Sequence, residues 1–213
     1  MRLLDLFSGA GGCAMGYIQA GFEVVGVDIH PQPNYPGNFV QADALTFPLE
    51  GFDCYHASPP CQHYTTMLNH GMADRTKHPD LVDAIRQRLQ ATGKPYIIEN
   101  VVSAPVENPI TLCGAMFGLR VYRHRLFESN IYLYQPAHPR HKAKAAHAGT
   151  MPKPHEFYCP VGHFADLQGS MSAMGIDWMS TKYEVAQSVP PAYTRFLGEQ
   201  LLAYLEREQE VSA

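Results

Sequence analysis

The chain has 213 residues, of which 46% are hydrophobic and 17% charged, and it carries a formal net charge of −4. That length suits a single domain able to bury about 70% of its unfolded surface without disulfides or a structural metal. The composition excludes a charge-rich disordered chain, no run approaches the ~18 apolar residues of a membrane span, and the acidic balance argues against a protein that simply coats nucleic acid.

Leu3–Phe7 is an apolar run that ends in Ser8-Gly9 and predicts a strand. Asp5 and Gly9 interrupt any signal-like apolar region at this end. Helical spacing over Gly11–Ala20 stops at Gly21. Glu23–Asp28 is β-branched and ends in a carboxylate, as expected of a second strand. A turn region with Pro31, Pro33, Pro36 and Gly37 leads to a short strand over Phe39–Asp43. Phe52–Ala57 is another apolar run, closed by Ser58-Pro59-Pro60. A polar loop and a helix over 79–92 follow, with Gly93 as the stop. Tyr96–Val101 reads as a strand, and Thr111–Gly118 and Leu126–Tyr134 as later strands or a hairpin. Residues 135–170 show no periodicity and read as an irregular insertion. From Pro190-Pro191 to about residue 208 the pattern is helical again, through Tyr193, Phe196, Leu197, Leu201, Leu202 and Leu205. Strands alternating with helices predict an open α/β fold with a mostly parallel sheet and helices on both faces.

Charge is unevenly spread. From Arg120 to His155 the basic residues Arg120, Arg123, Arg125, Arg140, Lys142, Lys144 and Lys153 meet one acidic residue, Glu128, a local charge of about +6. Such a segment is a solvated loop or a phosphate-contacting surface. The odd set of cysteines (13, 54, 61, 113 and 159) forms no C-x-x-C pair, which fits reduced thiols and a cytoplasmic location.

Gly9, Gly11 and Ala14 fit G-x-G-x-x-A between a strand and a helix, where small residues permit a tight turn and close approach of a ligand. The same residues also suit an ordinary glycine turn. Asp28 ends the second strand 17 residues after Gly11, near the spacing of an acid that bonds ribose hydroxyls. Asp43 ends the third strand, where a carboxylate accepts from an adenine amino group. Glycine, acid and acid at three successive strand ends describe a site for an adenosine-containing ligand.

Paired prolines before Cys61 fix the backbone and prevent a helix, so the thiol is presented on a rigid loop as a candidate nucleophile. Cys13, Cys54 and Cys113 lie in or beside apolar runs and read as core. Glu99 follows Ile97-Ile98 at the mouth of the sheet, where desolvation would raise its pKa and let it carry a proton near neutral pH. Alone, Glu99 reads as a satisfied strand-end carboxylate. With Cys61 on a neighbouring strand, it reads as a catalytic acid.

Asp-Leu-Phe-Ser-Gly-Ala-Gly-Gly, then Pro-Pro-Cys-Gln, Glu-Asn-Val and Arg123-His124-Arg125, in that order, resemble the ordered motifs of the cytosine-C5 DNA methyltransferases. Val189-Pro190-Pro191-Ala192 resembles the last motif of that family. The resemblance implies a Rossmann-like S-adenosylmethionine-dependent methyltransferase fold. It implies a catalytic, cofactor-binding domain over 1–131 and 187–213, with a short target-recognition insertion over 132–186. Carried over, Cys61 would attack C6 of a flipped cytosine, Glu99 would hydrogen-bond and protonate N3, and Arg125, with Arg123, would hold the base. S-adenosylmethionine would lie against Phe7, Ser8, Gly9, Ala10, Gly11, Gly12, Asp28, Ile29, Asp43, Ala44, Pro60, Ser188 and Val189. Gln187-Ser188 departs from the Gly-Asn usual in the last motif, which puts a side-chain contact there in question.

The implied partner is double-stranded DNA, with Arg140–Lys144 as the phosphate-contacting loop. The resemblance also allows a cognate restriction endonuclease, which no residue here specifies. Two other readings stay open: the same chemistry on tRNA, and a non-catalytic binding protein on this scaffold. His155, Cys159 and His163, with His147 nearby, have a spacing that suggests zinc, but they read as ordinary loop residues. No metal is expected.

Overall fold

A computed structural model describes residues 1–64, 80–147 and 149–212. The predicted polar loop after Tyr64 and the first residue of the predicted helix at 79 fall outside them. Strands β1 (Arg2–Leu6), β2 (Glu23–Asp28), β3 (Asn38–Gln41), β4 (Cys54–Ala57), β5 (Tyr96–Asn100), β6 (Ile110–Leu112) and β7 (Arg125–Ser129) form one sheet in the order β3-β2-β1-β4-β5-β7-β6. β1 to β5 pair in parallel, and β7 runs antiparallel to both β5 and β6. The strand order reverses between β1 and β4, and in open α/β sheets the crevice at such a switch point receives ligands.

The helices are α1 (Gly12–Ala20), α2 (Val82–Gln90), α3 (Leu167–Met174), α4 (Lys182–Gln187) and α5 (Pro191–Ser212). Side chains alternate across each strand, and that alternation divides the core. Leu3, Cys54, Ile97, Leu112 and Phe127 face α1 and α5, where Tyr17, Tyr193, Leu197 and Leu201 cover them. Leu4, Leu6, Tyr55 and Ile98 point the opposite way, toward Ile85 and Leu89 of α2. Both faces of the sheet are therefore buried, which explains why β5 (Tyr-Ile-Ile-Glu-Asn) is buried throughout.

Two expectations change. Thr111–Gly118 is strand only to Leu112. Gly114–Phe117 forms a 3-10 turn because Gly114 is pressed against the Val121 backbone, where a side chain has no room. The expected insertion, 132–186, is not uniform. Helices α3 and α4 occupy its last third, and Met171, Met174, Ile176, Met179 and Val185 pack with Ala10 of the first loop and Val121. This part of the chain supports the glycine turn. The irregular stretch is confined to the residues before α3.

Opposite α1, Arg86 of α2 is nearly buried and reaches across to β7. Its Nε lies 2.7 Å from Glu128 Oε1 and its Nη2 2.8 Å from Glu128 Oε2. Glu128 Oε2 also accepts from the Glu107 amide at 2.7 Å. This buried fork fixes α2 to the antiparallel strand.

Candidate active site

β1 delivers Phe7 to Gly12 to the carboxyl edge of the sheet. The turn needs unusual backbone: Phe7, Gly9 and Gly11 have φ of 58°, 49° and 79°. For Phe7 this is a strained conformation, of a kind that clusters at functional sites. Asp28 stabilises the turn directly, since its Oδ2 accepts from the Gly9 amide at 2.9 Å and its Oδ1 from the His30 amide at 2.9 Å. Trp178 holds the turn from the other side by donating Nε1–H to the Ala10 carbonyl at 2.9 Å.

The glycines divide their roles. A Cβ added at Gly9 would meet nothing within 4 Å, so the backbone there is open to a ligand. At Gly12 it would lie 2.6 Å from the Val189 carbonyl, and at Gly11 it would run into Pro36. These two positions serve packing rather than ligand approach. Beside the turn, Ile29 is 62% exposed at the end of β2 and offers an apolar surface for a flat ring. Asp43 caps a turn by accepting from the Leu45 amide at 2.9 Å, and Ala44 is buried behind it. Carboxylates accept more than two hydrogen bonds each, so Asp28 and Asp43 retain capacity for hydroxyl or amino groups. Val189 is buried against Gly12, and Ser188 turns its hydroxyl to Met179 Sδ at 3.2 Å. The Ser188 side chain is thus engaged with Met179.

Below the turn, Asp5 is fully buried, with Oδ1 unpartnered and Oδ2 accepting from Tyr35 at 3.3 Å. Burial first, then the Asp28 and Glu99 charges, push its pKa to about 8. The carboxyl is therefore protonated in the folded chain at neutral pH, while the unfolded chain ionises near pH 4. The linkage sign follows: this group's contribution to stability is full below about pH 4 and is lost as pH rises toward 8. Asp5→Asn removes the titration. Urea unfolding is expected to show the variant more stable than the parent at pH 8, by up to about 5 kcal/mol, with the advantage shrinking at pH 5. A constant difference at both pH values would refute this.

β4 ends at Ala57, and the Ser58 amide donates to the Leu6 carbonyl at 3.0 Å, which holds the two strand ends together. Asn100, at the end of β5, donates Nδ2–H to the Pro59 carbonyl at 3.0 Å. The proline turn before Cys61 is thereby pinned to the neighbouring strand. Cys61 is half-buried and Glu99 is nearly buried. The two side chains are close enough for the Glu99 charge to act on the thiol. Burial first, then Glu99, raises the Cys61 pKa, while Arg125 and Arg123 oppose the rise.

Glu99 has its own support. Arg125 Nε lies 3.0 Å from Glu99 Oε1. Burial raises the Glu99 pKa, while Arg125, a hydrogen bond from Ser58 and Arg123 hold it down in that order. The result is a carboxyl that takes a proton more readily than an exposed glutamate. Behind it runs a buried chain: Ser58 Oγ to His56 Nε2 at 3.0 Å, and His56 Nδ1 to Tyr17 Oη at 2.9 Å. Burial lowers the His56 pKa to about 3, so the ring is neutral. If Ser58 donates to Glu99, it accepts from Nε2–H, and Tyr17 then donates to Nδ1. This single tautomer satisfies the whole chain.

The Arg123 guanidinium donates to the carbonyls of Ser188 (Nε, 2.6 Å), Pro160 (Nη1, 3.0 Å) and Ala186 (Nη2, 2.6 Å). All three nitrogens thus tie the residues before α5 to the start of β7. Tyr193 adds to that tie by donating its hydroxyl to the Arg123 carbonyl at 3.0 Å. Ser58, Asn100, His56, Tyr17 and Trp178 are site-supporting residues that sequence reasoning missed. Ser58 adjoins Pro-Pro-Cys-Gln and Asn100 lies within Glu-Asn-Val, but their positions in sequence assign neither a supporting role.

No family model matches the chain, and no curated protein matches it by sequence. Solved structures do. An E. coli protein described as a DNA modification methyltransferase encoded within a prophage aligns at a TM-score of 0.66 and 14% identity, covering 97% of this chain and 99% of that one. The Dnmt2 methyltransferase of S. pombe aligns at 0.67 and 13%, covering 96% and 99%. The Entamoeba histolytica methyltransferase EhMeth aligns at 0.61 and 14%, covering 96% and 98%. Across nearly its whole length, this chain has the Rossmann-like fold of these methyltransferases.

Proposed function

We propose that the chain transfers a methyl group from S-adenosylmethionine to carbon 5 of cytosine in DNA through a covalent bond between Cys61 and C6. The observation that carries this reading is the pairing of a loop thiol with a buried, arginine-clamped carboxyl at the switch point, beside a glycine turn open at Gly9. The resemblance of five ordered motifs to the cytosine-C5 enzymes and the shared fold add support. The description of the prophage neighbour favours DNA.

Phe7 to Ala10, Asp28, Ile29 and Asp43 would hold the cofactor, with the apolar Ile29 against its ring and the carboxylates on its hydroxyl and amino groups. When bound, that cofactor supplies an electrophilic methyl group on a sulfonium. Cytosine C5 is too weak a nucleophile to take it unaided. Cys61 Sγ, its proton lost to solvent, would form a bond to C6 as the C5=C6 π bond opens, while Glu99 delivers its proton to N3, so the electron pair of that π bond becomes available at C5. Arg125 keeps the Glu99 carboxyl oriented and stabilises the carboxylate left behind. After the methyl group has moved, the C5 proton would pass to water, its electron pair would re-form the C5=C6 bond as Cys61 leaves as a thiolate, and N3 would return its proton to Glu99. Reaching the ring edge requires extruding the base, at a few kcal/mol of stacking.

Cofactor labelled with tritium in the methyl group, offered with duplex DNA and with tRNA separately, tests the proposal. Label recovered as 5-methylcytosine in DNA is expected. Label in tRNA alone would change the substrate to RNA, and label in neither would end the methyl-transfer reading.

A further inference from the structure

Among the described residues, one group of metal-ligating side chains comes together away from the Cys61 site: Cys113, His124, His138 and His141. Cys113 directly follows β6 and His124 directly precedes β7, so two ligands stand on the rigid sheet edge. His138 and His141 come from the irregular basic stretch and are exposed. The four ligating atoms all lie within 4.8 Å of one another. Cys113 Sγ is 3.4 Å from His141 Nε2, and His124 Nε2 is 3.1 Å from His138 Nε2. Tetrahedral zinc, with Zn–S near 2.3 Å and Zn–N near 2.0–2.1 Å, sets sulfur and nitrogen about 3.6 Å apart and two nitrogens about 3.3 Å apart. Both observed edges come within about 0.2 Å of those lengths.

Hydrogen bonding alone explains the group poorly. Two imidazole nitrogens facing each other satisfy at most one N–H···N bond, and a thiol is a weak donor. The group contains no carboxylate, and one thiolate with three imidazoles is a donor set that suits zinc and disfavours magnesium or calcium. Tyr122 stacks on His141 at 3.6 Å between ring centroids and 14° between planes, which fixes the orientation of that ring.

We propose that Cys113, His124, His138 and His141 bind a structural zinc ion that fastens the basic segment to the sheet edge. Four protein ligands close the tetrahedron, so the ion holds structure and leaves no position for substrate. Arg140 and Lys142 flank His141 in sequence, and His124 lies between Arg123 and Arg125. Zinc would therefore fix the phosphate-contacting side chains relative to the residue that clamps Glu99. The zinc site stands on its own ligands and does not depend on the methyl-transfer reading. His155, Cys159 and His163 are not part of it.

The test uses the full chain without a histidine tag, purified without chelator. Metal analysis is expected to find close to one zinc per chain. Replacement by cobalt is expected to give the thiolate charge-transfer band of a tetrahedral Cys-containing site. His138→Ala with His141→Ala, both on the exposed segment, is expected to lose the zinc while keeping the parent circular dichroism. Cys113→Ser is expected to abolish the cobalt thiolate band, and Cys159→Ser to leave it unchanged. Trypsin is expected to cut at Lys142 or Lys144 much faster once zinc is stripped. The proposal is overturned if the parent chain holds no zinc and takes up none on dialysis against zinc chloride, or if the double histidine variant keeps its zinc.

Discussion

Cys61→Ser protein is expected to keep its fold and its affinity for S-adenosylmethionine while losing methyl transfer by at least about 10⁴-fold, as seen when other covalent nucleophiles are removed. The backbone at Cys61 is set by the two preceding prolines and by the Asn100 bond to the Pro59 carbonyl. None of these involves the sulfur, so the exchange of sulfur for oxygen changes chemistry and little else. A serine hydroxyl beside Glu99 is a far weaker acid than a thiol and has no base strong enough to ionise it, whereas Arg125 and Arg123 oppose the rise that burial and Glu99 impose on the thiol pKa. The same variant provides a second readout. Duplex DNA containing 5-fluorocytosine is expected to form a detergent-stable adduct with the parent protein, because fluorine cannot leave as a proton, and no adduct with Cys61→Ser. Methyl transfer by the variant within tenfold of the parent would rule out attack by this sulfur.

Glu128→Ala is expected to destabilise the fold by about 3–5 kcal/mol, the usual cost of leaving one partner of a buried ion pair uncompensated. Arg86 would remain nearly buried with its charge facing a cavity, its contact with the exposed Asp83 being a weak substitute. The Glu107 amide would lose its acceptor as well. In a chain of this size the loss corresponds to a Tm lowered by roughly 10 °C. The double variant Arg86→Met/Glu128→Leu separates charge from packing. It removes both ions, and replacing a buried pair with apolar residues of similar volume is often neutral. Urea denaturation of the single and double variants measures both effects. A single variant as stable as the parent would show the fork to be unimportant.

The α/β fold was readable because short apolar runs alternate with stretches of helical spacing closed by Gly21 and Gly93, and local signals of that kind do not depend on distant contacts. The positions of Cys61 and Glu99 beside one another follow from β4 and β5 being neighbours, which alternation of elements already suggested. What remained hidden was tertiary. Arg123 looked like a ligand to the base because its sequence neighbours are Arg125 and His124. Its actual partners are carbonyls at 160, 186 and 188, which no spacing rule connects to it. His56 sits in an apolar strand and reveals its role only when Tyr17 comes down on it from α1. Helix α3 was obscured by Met, Ser and Gly, which give a weak amphipathic pattern, and α4 by its length of only six residues. The bounds 132–186 come from the resemblance, as the interval between Arg123-His124-Arg125 and the last motif, and carry no information about the helices within it.

β7 enters the sheet from the reactive edge, so it contributes its first residue there while its parallel neighbours contribute their last. Glu99 pairs with Phe127 and Ile98 with Glu128, which places Arg125 on the Glu99 side and Glu128 on the α2 side. Odd positions of this one strand serve the acid, and an even position anchors a helix. Slipping β7 by a single residue would exchange the two sets, stripping Glu99 of its counter-ion and Arg86 of its own at once. The Arg125–Glu99 pair and the Arg86–Glu128 fork therefore share one register.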